Sequence, residues 1–253
     1  MTAAQRGGIG KRRRRMSGTT WMFIGLLIFF LFAGGLTALV KQIPRIPQGA
    51  IGAVASKSYV GVDNFETADG DVGATFANVD TPDGPADKAG LVGGDIITTV
   101  DGRAVRSDDD ITEIMRSTPI GKTVDVVYIR DGEIKNTKLT TISREELNRL
   151  GEVYRNRPEG RGQFGYEDGD AERVEIPGTK MFGVRLGEIL QSRPADIAGI
   201  KQGDIVISFD EIPIRTTDEF LARVRRALPY STVKVGIIRN GERMEIPVKM
   251  GKG

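Results

Sequence analysis

The chain has 253 residues, with 36 Lys or Arg and 34 Asp or Glu, and contains neither His nor Cys. Those two absences exclude disulfides, zinc–thiolate and His-ligated metal sites, cysteine nucleophiles and every imidazole triad, so Ser–Lys or carboxylate chemistry is all that is left to an enzyme. The near-neutral total hides a division: residues 1–57 hold nine basic and no acidic side chains, so residues 58–253 hold 27 basic and 34 acidic, a net of −7, which disfavours nucleic acid as a partner.

The first predicted element is Trp21–Val40, 20 residues without a charge. At about 1.5 Å per residue it spans the roughly 30 Å hydrocarbon core of a bilayer. The basic run Lys11–Arg15 precedes it, and the positive-inside rule keeps residues 1–20 in the cytoplasm with the rest of the chain outside. A cleaved signal peptide is the rival reading, with a weak junction at Ala33-Gly34-Gly35. Residues 41–57, punctuated by Pro44, Pro47, Gly49 and Gly52, read as a stalk.

Residues 85–133 and 194–242 align without a gap at an offset of 109, and 19 of the 49 positions are identical. One unit has been written twice, at a spacing that suits two tandem domains rather than a solenoid. In the first copy, Val72–Val79 is a strand candidate followed by the turn Thr81–Gly84. Pro85 opens a short helix ended by Gly90, and Gly94-Asp95 turns into the strand Ile96–Val100. Ser107 caps an amphipathic helix over 107–116 with Asp110 as its partner, and Thr216 and Glu219 repeat that pairing. Both copies close on a hairpin, around Asp131-Gly132 and Asn240-Gly241. Between the copies, Ser143 caps a short helix that Gly151 ends, and residues 155–169 read as a mobile, Gly-rich and charged loop.

The sequence Pro-Ala-x-x-Ala-Gly-Φ-x-x-Gly-Asp-Ile-Ile/Val, a following acidic turn, a capped helix and a final Arg-Asp/Asn-Gly-Glu hairpin, in that order in both copies, resembles the PDZ domain. It is most similar to the bacterial type attached to periplasmic trypsin-like proteases (the HtrA/DegP type). One departure is Asp210-Glu211 in the second copy, where the first has the turn Asp101-Gly102. The resemblance covers roughly 57–142 and 161–250. It implies an α+β chain of two partly open β-barrels, each flanked by two helices, behind a single transmembrane helix. The expected divisions are 1–20, 21–40, 41–57, 58–142 for the first domain, 143–160 for a linker and 161–250 for the second. A bacterial cytoplasmic-membrane protein with periplasmic or extracellular domains is the implied setting.

The resemblance also implies the chemistry. Such domains bind protein C-termini or extended peptides by adding a strand to a sheet edge, and a loop of Φ-Gly-Φ type gathers backbone N–H groups around the terminal carboxylate. Tyr59-Val60-Gly61-Val62 matches that loop in the first copy. In the second, Phe164-Gly165-Tyr166 is preferred over Phe182-Gly183-Val184, although Glu167-Asp168 would repel a carboxylate. Ile111 and Met115, with Phe220 and Val224, are the candidate groove-wall residues, and a core role for each is equally compatible with the pattern. No cofactor or metal is expected: Asp108–Asp110 suits a helix start, and Gly121-Lys122-Thr123 lacks the rest of a phosphate loop. Arg223-x-Arg225-Arg226 reads as a solvated helix face. The expected protein is a non-catalytic scaffold, since two repeats, an anchor and a linker fill the chain and no Gly-x-Ser-x-Gly motif is present. A regulatory or degenerate member of a membrane protease system, with a membrane or periplasmic protease as partner, is the alternative. A purely structural role, with the grooves filled from within, is the third reading.

Overall fold

In the computed structural model, which describes residues 57–253, the duplication takes the form of two open antiparallel sheets. The first sheet comprises β1 (Phe65–Thr67), β2 (Ala74–Phe76), β3 (Ile96–Val100), β4 (Arg103–Ala104), β5 (Thr123–Arg130) and β6 (Glu133–Thr140). Its order is β1-β2-β3-β5-β6, with β4 on β3, so β1 has one free edge. Helices α1 (Pro85–Lys88) and α2 (Asp108–Ser117) belong to this domain. Beyond α3 (Arg144–Arg155), the second sheet comprises β8 (Glu172–Glu175), β9 (Phe182–Arg185), β10 (Ile205–Phe209), β11 (Ile212–Pro213), β12 (Thr232–Arg239) and β13 (Glu242–Lys249). It runs β13-β12-β10-β9-β8, with β11 on β10, and carries α4 (Pro194–Ile197) and α5 (Thr217–Arg226). A two-stranded ladder joins β7 (Gly162–Gln163) to β14 (Gly251–Lys252). Among the described residues no helix is long and apolar enough to cross a membrane; the run Trp21–Val40 lies outside them.

Local sequence accounts for most of these elements. Asp131 and Gly132 (φ 56° and 77°) and Asn240 and Gly241 (φ 53° and 84°) adopt the left-handed pair that matches strand twist in a two-residue hairpin. Asp210 and Glu211 hold the same pair of positive φ values, 48° and 67°, without a glycine. The strand expected over 72–79 is regular only at Ala74–Phe76, and Val72 is exposed. Ser107, Ser143 and Thr216 each accept a hydrogen bond from the backbone N–H three residues on, as N-caps do.

The motif Gly-Asp-Ile and the hairpin arginine turn out to be two halves of one contact. In the first copy Arg130 donates to Asp95 through Nε and Nη2, both at 2.6 Å, while the N–H of Val92 donates to the same carboxylate at 2.9 Å. The second copy repeats this with Arg239, Asp204 and Lys201, at 2.7, 2.7 and 2.8 Å. Each arginine also donates to the carbonyl after the short helix, Gly90 or Gly199. A planar fork on a carboxylate thus ties the last hairpin to the turn before the central strand.

The linker differs from its expectation. The helix begun at Ser143 runs through Gly151 to Arg155. The next segment is fastened: Arg157 donates to the carbonyls of Arg225, Arg226 and Ala227 at 2.8, 2.6 and 3.1 Å. Those are carbonyls at the C-terminal end of α5, where a cation and donors are most favoured.

The two domains dock through α5. The Glu219 side chain, 0% exposed, accepts from the N–H groups of Val79 and Gly93 in the first domain, both at 2.9 Å, and from Arg223 Nε at 2.6 Å. Arg223 and Arg226 each lie 3.2 Å from Asp87, and Arg226 also donates to the carbonyl of Val79. Thr216 Oγ1 donates to the carbonyl of Ala77 at 2.5 Å. A Cβ on Gly93 would lie 2.0 Å from that same carbonyl oxygen, so the close approach requires glycine there. Arg215 adds a fork on Asp131 at 2.6 and 2.8 Å. Arg223 and Arg226 are therefore buried against the first domain, and the solvated face expected for them is found only at Arg225. Desolvation, together with the neighbouring Arg223, lowers the Arg226 guanidinium from its usual range.

Candidate functional site

In the first domain Val62 bridges Val79, through Asp63 N–H donating to Asn78 O and Asp80 N–H to Gly61 O. In that register the N–H and C=O of Val62 itself turn away from Val79. Among the described residues the N–H groups of Val60, Gly61 and Val62 have no hydrogen-bond acceptor. Gly61 has φ +80°, a conformation that favours glycine, and it lets these successive amides converge. The carbonyl of Val60 is held by Ala86 N–H at 2.8 Å, which fixes the loop on α1.

This loop opens into a cavity of about 340 Å³ bordered by residues 57–65, Thr112 and Met115 of α2, and Arg144 and Leu147 of α3. Both ends of α2 are anchored beside it. Ser58 Oγ donates to the carbonyl of Met115 at 2.8 Å, and Thr67, at the end of β1, exchanges hydrogen bonds with Asp108 at 2.7 and 3.2 Å. The groove therefore runs between the free edge of residues 62–67 and α2, with three open amides at one end. Arg144 stacks 4.2 Å from the Tyr59 ring centroid, and Lys57 lies 5.6 Å from it. These cations border the amide end, while Asp63 and Asp80 also line the cavity.

The second domain builds the same scaffold. Ala195 N–H donates to Phe164 O, and Leu190 N–H to Gly165 O, reproducing the first domain's contacts. Among the described residues the amides of Phe164, Gly165 (φ +94°) and Tyr166 are likewise without acceptors. Phe182-Gly183-Val184 lies in β9, hydrogen-bonded between β8 and β10. The surroundings of the second loop differ. Its cavity, about 330 Å³, is lined by Glu167 and Asp168 as well as Leu190, Leu221, Val224 and Arg225. The Tyr166 ring is buried against Phe164 and Phe220, and burial and Asp168 push its phenol well above the usual range. A 3₁₀ turn at Asp168–Asp170 separates Tyr166 from β8, so the edge is interrupted where the first domain's runs on from Val62 toward β1.

The helix residues separate into two sets. Met115 and Val224 line the cavities, whereas Ile111 and Phe220 are 1% and 0% exposed in the two cores and line neither. The positions facing the grooves are one residue later, Thr112 and Leu221. One residue is a rotation of about 100° on a helix, enough to carry a side chain from core to groove. Arg144 and Leu147 were missed because they come from the linker. The signal for them was Ser143, whose cap starts a helix directly after Ile142, the residue that bridges Tyr59.

The model of the family described as PDZ domain matches residues 52–141 and 157–250. A probable periplasmic serine endoprotease, DegP-like, of Ectopseudomonas mendocina is 25% identical over 218 residues, covering 84% of this chain and 45% of the relative. A protein of the same description from Rickettsia conorii is 34% identical over 106 residues, 42% of this chain and 20% of the relative. The chain thus spans less than half the length of these curated relatives. Among solved structures, the HtrA-type protease AlgW with a decapeptide is 16% identical, with 59% of this chain and 45% of that chain covered and a TM-score of 0.35. The HtrA3 PDZ domain bound to a phage-derived ligand is 17% identical, with 36% and 89% covered and a TM-score of 0.30.

Proposed function

Because the chain belongs to the PDZ-domain family, we propose that it is a non-catalytic receptor that captures protein C-termini or extended strands by β-augmentation, with the first domain as its principal site. The observation that carries this reading is the run of three open amides at Val60–Val62, at the end of a groove bounded by a free strand edge and by Met115. Strand pairing supplies affinity that depends little on sequence, the amides hold the carboxylate, and Thr112, Met115 and Leu147 select an apolar terminal side chain. Arg144 and Lys57 offset Asp63 and Asp80 around the first groove, whereas Arg225 alone faces Glu167 and Asp168 around the second, which makes the second less favourable to an anion. The membrane setting rests on Trp21–Val40 and its basic flank. The matches to periplasmic serine endoproteases favour a second reading, in which the ligand or partner belongs to a protease system.

The test is an array of C-terminal peptides probed with the full chain. Gly61→Val places a branched side chain on a left-handed backbone, 3.2 Å from Leu147. It should weaken the selected peptides at least about tenfold, or roughly 1.4 kcal/mol. Peptides with an amidated C-terminus should be lost from the array together with those affected by Gly61→Val. Equal binding of free and amidated peptides would sink the carboxylate-receptor reading.

A further inference from the structure

The helix that walls the second groove touches the back of the first. Its groove side presents Leu221, Val224 and Arg225, while Glu219, Arg223 and Arg226 reach into the first domain. The points they hold are not arbitrary. Val79 is the bridge partner of Val62, and Asp80, the next residue, donates to the Gly61 carbonyl. Asp87 lies in α1 next to Ala86, whose N–H fixes the Val60 carbonyl. The three residues of the amide cradle are thus supported through Val79 and α1, and both supports are gripped by α5.

Comparing the two copies shows which residues distinguish this grip. At the offset of 109, Glu219 stands where the first copy has Asp110, Arg223 where it has Ile114, and Arg226 where it has Ser117. Asp110 accepts from the N–H of Arg106 on its own helix cap. Glu219, one methylene longer, takes amides of the other domain instead. The clamp is charge-balanced, two carboxylates against two guanidiniums, and no buried side-chain polar atom among the described residues lacks a partner. Such a network is a poor source of stability compared with an apolar contact, and its attested use is to specify one arrangement.

We propose that the second domain is a built-in part of the first domain's receptor, with Glu219, Arg223 and Arg226 acting as positioning residues for the Val60–Val62 cradle. This rests on the reading that the first groove receives a terminal carboxylate.

The experiment compares the full chain with its Glu219→Gln and Asp87→Asn variants, which preserve side-chain volume and remove one charge at either end of the clamp. Binding of a peptide selected on the array is titrated, and hydrogen exchange is followed amide by amide. The expected result is a loss of affinity of about fivefold or more in each variant, the lower end of ordinary site-to-site coupling. Exchange should accelerate at Asp63, Asp80 and Ala86, whose bonded amides hold the cradle, as well as at Val79, with the β12–β13 hairpin unchanged. Faster exchange confined to Val79 and Gly93, or unchanged affinity in both variants, would overturn the proposal. Should no peptide bind the parent chain, the receptor reading falls, and the exchange at Asp63, Asp80 and Ala86 still decides whether α5 positions the loop.

Discussion

Replacing Arg130 by Met is expected to lower the stability of the first domain by about 3–5 kcal/mol, the cost of removing one partner from a buried ion pair. The Asp95 side chain is 0% exposed and that of Arg130 only 12%. Methionine would fill much of the guanidinium's volume, but the carboxylate would keep only the N–H of Val92. Burial outweighs the guanidinium even in the intact pair and raises the Asp95 carboxyl above its usual value. Without Arg130 that rise grows. A carboxyl with a raised folded-state pKa binds more protons folded than unfolded, so its contribution to stability falls as pH rises. The deficit of the variant should therefore be largest near neutrality and shrink toward about pH 4, where the unfolded carboxyl also takes its proton. Urea unfolding at the two pH values reads both effects, and a deficit that does not change with pH would place the loss in packing instead. Arg239→Met in the second domain should cost less, because the Arg239 side chain is 23% exposed against 12% for Arg130, although Asp204 itself is only 1% exposed.

Phe220→Ala is expected to cost the second domain about 3–5 kcal/mol, in the range for removing a buried phenylalanine. The Phe220 ring is fully buried, with centroids of Phe164, Tyr166 and Phe209 at 5.4, 5.2 and 6.2 Å. From α5 it joins the second loop to the central strand β10. Truncation leaves three aromatic rings around a void that none of them can fill without leaving its rotamer. Phe220→Leu should lose less, since most of the volume is kept. Thermal unfolding of the full chain, followed by tyrosine fluorescence and amide exchange in α5, distinguishes the two variants.

What could be read from the sequence is what local chemistry specifies. Asn-Gly and Asp-Gly determine hairpins because few other residues accept two positive φ values in succession. Ser and Thr before a polar residue three positions on determine helix starts. The internal repeat tied the two domains to one plan without any reference to packing. Three features depended on tertiary context. Periodicity located α2 and α5, but the split between core and groove turns on a single residue, and both Ile111 and Thr112 fit an amphipathic pattern. Glu219 carries the signature of a capping box, and nothing in its neighbourhood shows that its carboxylate leaves the helix for another domain. The linker composition, rich in Gly and charge, suggested mobility; Arg157 instead found three carbonyls distant in sequence.

The docking of α5 onto the first domain turns the tandem from a tether into a ruler. Two sites joined by a slack chain gain from almost any two-headed ligand, because the linker searches for the second contact. Two sites held at one separation reward only a ligand whose spacer matches it, and shorter or longer spacers fall back to single-site affinity. A series of paired peptides with graded spacers should accordingly show one narrow optimum if both grooves are used. Arg223→Met, which breaks the clamp between the domains, should broaden that optimum and lower its peak.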